Sequence, residues 1–258
     1  MGDWLLSAAR EFGASFAAVA TPGAFLYWPH LLSYALIALG ILAWRRRRQP
    51  EPLGDGGLLA ALFPHAIYAH PSARHDAILY VLDRVVLVLA FIPRLGLALA
   101  VAVGVSTLLT TVLGARPALV VGPWATATFT AFEVLVADLG LFLTHLLAHR
   151  LGPLWCFHKV HHSAPVLTPM SAKRFHPLEV IEDQLVMDLC SGLVYGVGYY
   201  LSGGSLSVFT VLAVNVVDFV WNLCGAHLRH SHVWLAYPRW LSRILISPAM
   251  HQIHHSVE

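Results

Sequence analysis

Residues 118–149, ALVVGPWATATFTAFEVLVADLGLFLTHLLAH, carry the most informative structural pattern of this chain. The stretch is apolar over a length sufficient to cross a bilayer, and it contains two acids, Glu133 and Asp138. Because acids at membrane depth are costly in contact with lipid, we expect both to face protein or water. The stretch ends on His145-x-x-x-His149, and residues four apart share one face of a helix. The sequence therefore predicts a membrane helix that presents two histidines near its end.

The composition of the whole chain also indicates a membrane protein. Of its 258 residues, 57% are hydrophobic and only 12% are charged, about half the charged share usual in a soluble domain. Residues 24–44, 95–114 and 189–217 contain no Asp, Glu, Lys or Arg, and each stretch is long enough to span a bilayer. The net charge of +2 gives no indication of a nucleic-acid partner. The three cysteines are far apart, so they indicate neither a disulfide framework nor a thiolate zinc site.

We predict an all-α integral membrane protein with about four or five transmembrane helices and a cytoplasmic helical cap. The run Arg45–Arg48 directly follows the first span and is cytoplasmic by the positive-inside rule. The block 184–222 is broken by Gly203-Gly204, which favours two helices in a hairpin. Counting the spans places residues 149–183 and 225–258 on the cytoplasmic side as well. Residues 1–22 are predicted to form an interfacial segment, 49–57 a loop and 58–75 an amphipathic region. Residues 77–92 are predicted to lie at the interface or to pack against the bundle, and 95–114 to span the membrane.

Histidine is the anomalous residue type, because its 16 copies equal Lys and Arg combined. Besides the first pair, the pattern His-x-x-His-His occurs twice, and positions i, i+3 and i+4 project from one helical face. Adjacent histidines that became charged would repel each other without a cation between them. We therefore predict that three boxes of histidines bind metal, namely His145, His149, His158, His161, His162, His251, His254 and His255.

Three more histidines follow the last apolar block in the pattern His227-x-x-His230-x-His232. If the helix continues, His227 and His230 lie less than one turn apart and point at the same centre. We predict that both bind metal. His232 would point elsewhere, so it is an uncertain ligand that could instead form a hydrogen bond to a ligand or lie in the interface.

Two residues are predicted to support the ligands. Asp138 precedes His145 by seven residues, about two turns, and is predicted to accept a hydrogen bond from a ligating histidine. His176 precedes Pro177, which suits a first helical turn, so we assign His176 to a helix start or to a supporting role. The other histidines lack ligand spacing and are predicted to be interfacial, namely His30, His65, His70 and His75.

The donor set restricts the metal and its chemistry. The boxes contain neither thiolates nor carboxylates, which excludes calcium and magnesium cages, whereas imidazole suits iron, zinc, copper or nickel. About ten ligands are too many for one ion, so the number indicates two metals. The zinc protease pattern His-Glu-x-x-His is absent from both double-histidine boxes. A redox centre of two metals at a membrane surface suits the oxidation of a lipid carbon.

These boxes resemble those of the membrane-bound fatty acid hydroxylase and sterol desaturase superfamily. The surrounding residues are similar as well: His149-Arg150, Leu154-Trp155, the segment Phe157 to Ser163, and Arg174-x-His176-Pro177. The resemblance runs from about Asp76 to the end, so we predict an N-terminal part at 1–75 and a hydroxylase-like domain at 76–258.

The resemblance implies a non-haem di-iron centre at the cytoplasmic face that uses dioxygen to hydroxylate or desaturate an acyl, alkyl or sterol chain. It carries ligand roles onto the three boxes, and His227 and His230 stand where the family has a His-x-x-x-His pair. Electrons must come from outside, because the chain has no Gly-x-Gly-x-x-Gly fingerprint. A basic face with Lys159, Lys173 and Arg174 would dock a small acidic redox protein or hold anionic lipid headgroups.

Two other classes of protein remain alternatives at this point. A transition-metal transporter would distribute its histidines through the depth of the membrane, whereas a bis-histidine haem protein needs only one pair of histidines per haem. Hydroxylation and desaturation are both open outcomes.

Overall fold

The structure, a computed structural model, describes residue 17 and residues 19–48, 57–91, 96–211 and 214–256. The predicted N-terminal interfacial segment and the loop at 49–57 lie mostly outside the described residues. The chain divides into two compact units that alternate along the sequence. The described part of unit 1 comprises residues 85–158 and 177–219, and that of unit 2 comprises residues up to 84, 159–176 and 220–256. The predicted domain boundary at residue 75 concerns the start of the hydroxylase-like region, and it stays a prediction.

The described residues are mostly helical, as predicted. Ten α-helices follow in chain order: α1 Trp28–Arg48, α2 Gly57–Leu62, α3 His65–Tyr68, α4 Pro71–Phe91, α5 Leu97–Leu113, α6 Pro123–Arg150, α7 Gly152–His158, α8 Pro177–Leu201, α9 Val216–Leu223 and α10 Pro248–His254. Short 3₁₀ helices occupy His161–Ser163, Pro169–Lys173, Ala226–His230 and Leu241–Arg243, and two short strands, β1 Thr210–Val211 and β2 Val214–Asn215, pair antiparallel.

Unit 1 is built on α5, α6 and α8, and glycines allow these helices to approach closely. A Cβ added at Gly192 would lie 2.7 Å from the Ala98 carbonyl oxygen, and one at Gly196 would lie 2.7 Å from that of Ala102. In the same way, a Cβ added at Gly140 of α6 would lie 2.8 Å from the Cys190 Sγ atom of α8. Small residues on α8 therefore serve helix packing.

The predicted helical hairpin at 184–222 is wrong in its second arm. The chain does turn at Gly203 and Gly204, which both have positive φ. After the turn, however, the described chain forms β1, β2 and the short α9 instead of a second long helix. Polar contacts to α6 account for this irregular course: the Phe209 amide donates to Thr130 Oγ1 at 3.0 Å, and Asn215 donates to Glu133.

Unit 2 has a small apolar core around α1. Tyr34 and Ala38 of α1 pack with Leu62 of α2, with Leu228 and with Val233. α1 begins at Trp28 and continues through the arginine run to Arg48, so it starts four residues later than the predicted span at 24–44.

One helix in the described part of the chain, Pro123–Arg150, is long and apolar enough to cross a membrane by length and composition. The apolar helix Leu97–Leu113 lies where the span at 95–114 was predicted, but it is too short to count as a candidate membrane span by length. The predicted number of four or five spans therefore stays a prediction.

Candidate metal centre

Three histidines of unit 1 lie together where α6 ends and α7 follows. His145 and His149 occupy one face of α6, with ring centroids 4.9 Å apart, as their spacing predicts. α7 starts at Gly152-Pro153 and ends on His158, whose ring lies 4.5 Å from that of His145 and 4.7 Å from that of His149. The Nε2 atoms of His149 and His158 are 3.1 Å apart. The three side chains form a group that could hold a metal ion.

A buried glutamate orients His158. Pro177 begins α8, and Glu179 lies in its first turn, where the helix dipole favours a carboxylate. His158 Nδ1 donates to Glu179 Oε1 at 2.5 Å, and both side chains are buried. This hydrogen bond places the proton on Nδ1 and leaves the lone pair of Nε2 toward His149. Burial, together with the nearby carboxylates Glu179 and Glu182, raises the pKa of Asp183 on the same helix to about 6.

Asp138 does not take the predicted supporting position. Its side chain is exposed, and Glu179 is the carboxylate that holds a box histidine. Seven residues of helix correspond to a rise of about 10.5 Å, which is too far for a direct hydrogen bond to His145.

The prediction for Glu133 is confirmed: it is buried and accepts hydrogen bonds from Ser191 at 2.8 Å and Asn215 at 3.0 Å.

Four histidines of unit 2 form a second group, contributed by three segments. His161 begins a 3₁₀ helix, His230 ends another, and His251 and His255 are four apart at α10. The Nε2 atom of His251 lies 2.8 Å from that of His230 and 3.1 Å from that of His255. The His161 ring lies 5.0 Å from the His230 ring and 4.6 Å from the His255 ring.

The protonation states of this group suit metal binding. Burial lowers the pKa of His251 to about 3. Burial, with added repulsion from neighbouring histidines, also lowers the pKa values of His230 and His255 well below the usual range. The rings are therefore neutral, which is the form that binds metal. Nε2 lone pairs that face one another at such short distances need a shared proton or a cation between them.

His162 and His254 accompany the second group within unit 2. Their ring centroids are 4.7 Å apart, and His162 stacks on His255 at 4.3 Å. Unlike the four buried or half-buried histidines, His254 is exposed.

Backbone and side chains of residues 171–175 hold two members of the second group. His161 Nδ1 donates to the Arg174 carbonyl at 3.3 Å, and its ring stacks on Phe175 at 4.8 Å. Ser171 Oγ lies 3.4 Å from His230 Nδ1. Both contacts are made through Nδ1, which leaves Nε2 as the nitrogen of each ring that could bind a metal.

Arg174 itself is buried, which corrects its predicted place on an exposed basic docking face. Its guanidinium donates to Asp76 Oδ1 at 2.5 Å, to the Ser72 carbonyl at 2.7 Å and to Ser163 Oγ at 3.2 Å. No role was predicted for Asp76. A lone aspartate on an amphipathic helix carries no local signal for a partner 98 residues away.

His227 lies apart from the predicted ligands, so its predicted convergence with His230 is wrong. Its Nε2 donates to the Phe25 carbonyl at 2.6 Å, and its ring stacks on Phe25 at 3.9 Å. The α-helical path assumed for this segment ends at Leu223, and Gly225 with positive φ redirects the chain into a 3₁₀ helix. Three residues of 3₁₀ helix rise about 6 Å, so the two rings contact different neighbours.

The two remaining predictions concern His232 and His176. His232 Nε2 donates to the Ala61 carbonyl at 2.8 Å, and the ring packs against Tyr68, so its described hydrogen bond goes to the backbone rather than to a predicted ligand. His176 directly precedes Pro177, the first residue of α8, as the helix-start prediction required.

The donor set fits first-row metal ions. Two imidazole nitrogens that bind one ion at about 2.1 Å lie about 3.0–3.4 Å apart for octahedral or tetrahedral angles. The separations of 3.1 Å between His149 and His158 and between His251 and His255 fall in this range. His255 Nδ1 is buried without a hydrogen-bond partner among the described residues, so its ring has a spare donor atom.

The described part of the chain is thus a helical protein in which neutral, hydrogen-bonded histidines lie close together and form candidate metal sites. A family model for fatty acid hydroxylase matches residues 130–258, which is half of the chain. The chain belongs to the fatty acid hydroxylase family.

Two curated relatives support the wider superfamily. An ornithine lipid hydroxylase of Rhizobium tropici is 28% identical over 169 residues, which cover 62% of this chain and 46% of that protein. A Delta(7)-sterol 5(6)-desaturase of Gibberella zeae is 30% identical over 129 residues, covering 50% of this chain and 35% of that protein. The chain therefore spans less than half the length of these relatives. No solved structure matches it.

Proposed function

We propose that the chain is a membrane-bound di-iron oxygenase that uses dioxygen to oxidise a lipid carbon. The observation that carries this proposal is the convergence of His230, His251 and His255, whose Nε2 atoms lie 2.8 and 3.1 Å apart while burial keeps the rings neutral. The family membership and the hydroxylase and desaturase relatives supply the reaction class.

Each unit contains candidate iron ligands. In unit 1 the holders are His145, His149 and His158. In unit 2 they are the second group together with His162 and His254, so that nine histidines take part: His145, His149, His158, His161, His162, His230, His251, His254 and His255. Iron bound to these imidazoles would supply the activation of dioxygen and the one-electron chemistry that an unactivated carbon requires.

The chain's own residues orient and protect such a centre. Glu179 fixes the tautomer of His158, and the Arg174 carbonyl does the same for His161. Burial of His158, His161 and His230 excludes water from the donor atoms. A substrate carbon would lie beside these rings, and its oxidation would give an alcohol or an alkene.

The enzyme needs electrons from a separate protein, because the sequence has no flavin or nicotinamide fingerprint. We propose a small acidic redox partner that binds the basic cytoplasmic face, to which exposed Lys159 contributes. In the proposed arrangement the chain crosses the membrane several times and the histidines lie on the cytoplasmic side.

The test combines iron content with lipid analysis. Purified full-length chain should contain two irons, and His161→Ala should lower iron content and abolish lipid oxidation. The matched control is His65→Ala, because His65 is exposed on α3 and belongs to neither histidine group. Iron retained at the wild-type level in the His161 variant would remove that residue from the ligands.

Mass spectrometry of cellular lipids with and without the chain decides the outcome of the reaction. A gain of one oxygen indicates hydroxylation, whereas a loss of two hydrogens indicates desaturation. A Soret band in the absorption spectrum would support the haem alternative, and metal transport without oxidised lipid would support the transporter.

A further inference from the structure

A shallow cavity of about 370 Å³ opens at the end of α6, beside the histidine group of unit 1. It is lined by His149, Arg150, Leu151, Gly152 and Trp155. The cavity thus combines one candidate metal ligand with a cation and an indole ring. None of these residues except His149 has a role in the proposed centre.

Arg150 brings an unused positive charge to this cavity. Its side chain is exposed, and in the described part of the chain no acid or hydrogen-bond acceptor pairs with its guanidinium. A guanidinium offers a planar fork of donors that matches carboxylate and phosphate oxygens. Trp155, whose ring lies 5.3 Å from that of His149, adds an amphipathic side chain of the kind enriched at the membrane–water interface.

An exposed ridge of leucines leads directly to the cavity. The leucines recur at every fourth position and are 45–65% exposed, and the last of them lines the cavity: Leu135, Leu139, Leu143, Leu147 and Leu151. Sixteen residues of helix extend over about 24 Å. The ridge therefore presents an apolar track about as long as an extended lipid tail, with a cation at its end.

From this combination we infer that the cavity is the headgroup site for a lipid substrate that carries a phosphate or carboxylate. Arg150 binds the anionic oxygens, the acyl chain lies along the leucine ridge, and His149 borders the same cavity. The inference rests on the proposed function, because it makes the bound lipid the substrate. It adds a substrate class, namely lipids with an anionic headgroup.

Lipid binding to the purified full chain in neutral detergent tests the site without relying on iron or turnover. The probes are phosphatidic acid, diacylglycerol with the same tails, and inorganic phosphate, each measured by native mass spectrometry. Arg150→Gln should weaken phosphatidic acid binding about tenfold, equivalent to about 1.4 kcal/mol. Diacylglycerol binding should not change, and Arg150→Lys should retain part of the affinity because it keeps the charge without the fork.

Arg239→Gln is the matched control, because Arg239 is an exposed arginine that does not line the cavity. Equal losses in the Arg150 and Arg239 variants would overturn the site in favour of diffuse attraction to surface charge. Unchanged phosphatidic acid binding in Arg150→Gln would overturn it outright. Inorganic phosphate that binds as tightly as phosphatidic acid would show an ion site without a lipid track.

Turnover separates this inference from the oxygenase proposal. If both hold, Arg150→Gln raises KM for anionic lipids and leaves iron content unchanged. If the wild-type chain contains no iron and oxidises no lipid, the oxygenase proposal fails while lipid binding still reports on the cavity. An active enzyme whose KM for anionic lipid is unaffected by Arg150→Gln contradicts the headgroup site alone.

Discussion

Asp76→Ala should destabilise unit 2 strongly, because it leaves the buried Arg174 guanidinium without its counter-charge. Asp76 is 0% exposed and Arg174 is 4% exposed, with 2.5 Å between Nε and Oδ1. Removing one partner of a buried ion pair typically costs about 3–5 kcal/mol. Ser72 and Ser163 still accept hydrogen bonds from Arg174, so we expect a loss near the lower limit, about 3 kcal/mol.

The measurement is chemical denaturation of the purified chain in detergent, followed by tryptophan fluorescence. The double variant Asp76→Leu/Arg174→Met is the control, since replacing both charges by apolar groups is often close to neutral. The double variant should therefore unfold at a higher denaturant concentration than Asp76→Ala. A loss of less than about 1 kcal/mol in the single variant, within the range of exposed pairs, would show that the pair is not buried as described.

Three further predictions concern the histidines. Glu179→Gln should lower iron affinity about 10- to 100-fold, because His158 is then no longer held in one tautomer. Iron titration of the variant measures this, and a wild-type affinity would exclude the role of Glu179. His230→Ala should lose iron while His227→Ala, whose ring bonds to the Phe25 carbonyl, keeps it; equal losses by elemental analysis would restore His227 as a ligand. The metal-free chain should lose stability in acid. In the folded chain His251 has a pKa of about 3 and stays neutral, whereas in the unfolded chain it takes up a proton below about pH 6.5. The free energy of unfolding should fall by up to about 1.4 kcal/mol per pH unit for this histidine between about pH 6.5 and 3, and equal values at pH 7.5 and 5.5 would refute it.

Local spacing was sufficient to predict much of the candidate site. His145 and His149 share a face because four residues complete about one helical turn, and His251 and His255 do so for the same reason. The helix start at Pro177 and the turn at Gly203-Gly204 were also predicted, since proline and glycine act through their own backbone preferences.

The sequence could not supply the partners that lie far away along the chain. His227 and His230 have the spacing of co-ligands, yet Gly225 and a 3₁₀ helix direct them to different neighbours. Glu179, rather than Asp138, holds a box histidine because α8 brings its first turn against α7.

Local periodicity and composition were enough to predict that the chain is rich in apolar helices and that its histidines occur in boxes, but not that the chain after Gly204 leaves the helical path. Only the packed structure shows that Nδ1 is the hydrogen-bonded nitrogen of His161, that Glu179 supports His158, and that Asp76 pairs with Arg174. Such contacts depend on how separate helices pack, and packing is set by the shapes of all neighbouring side chains together rather than by spacing within one segment.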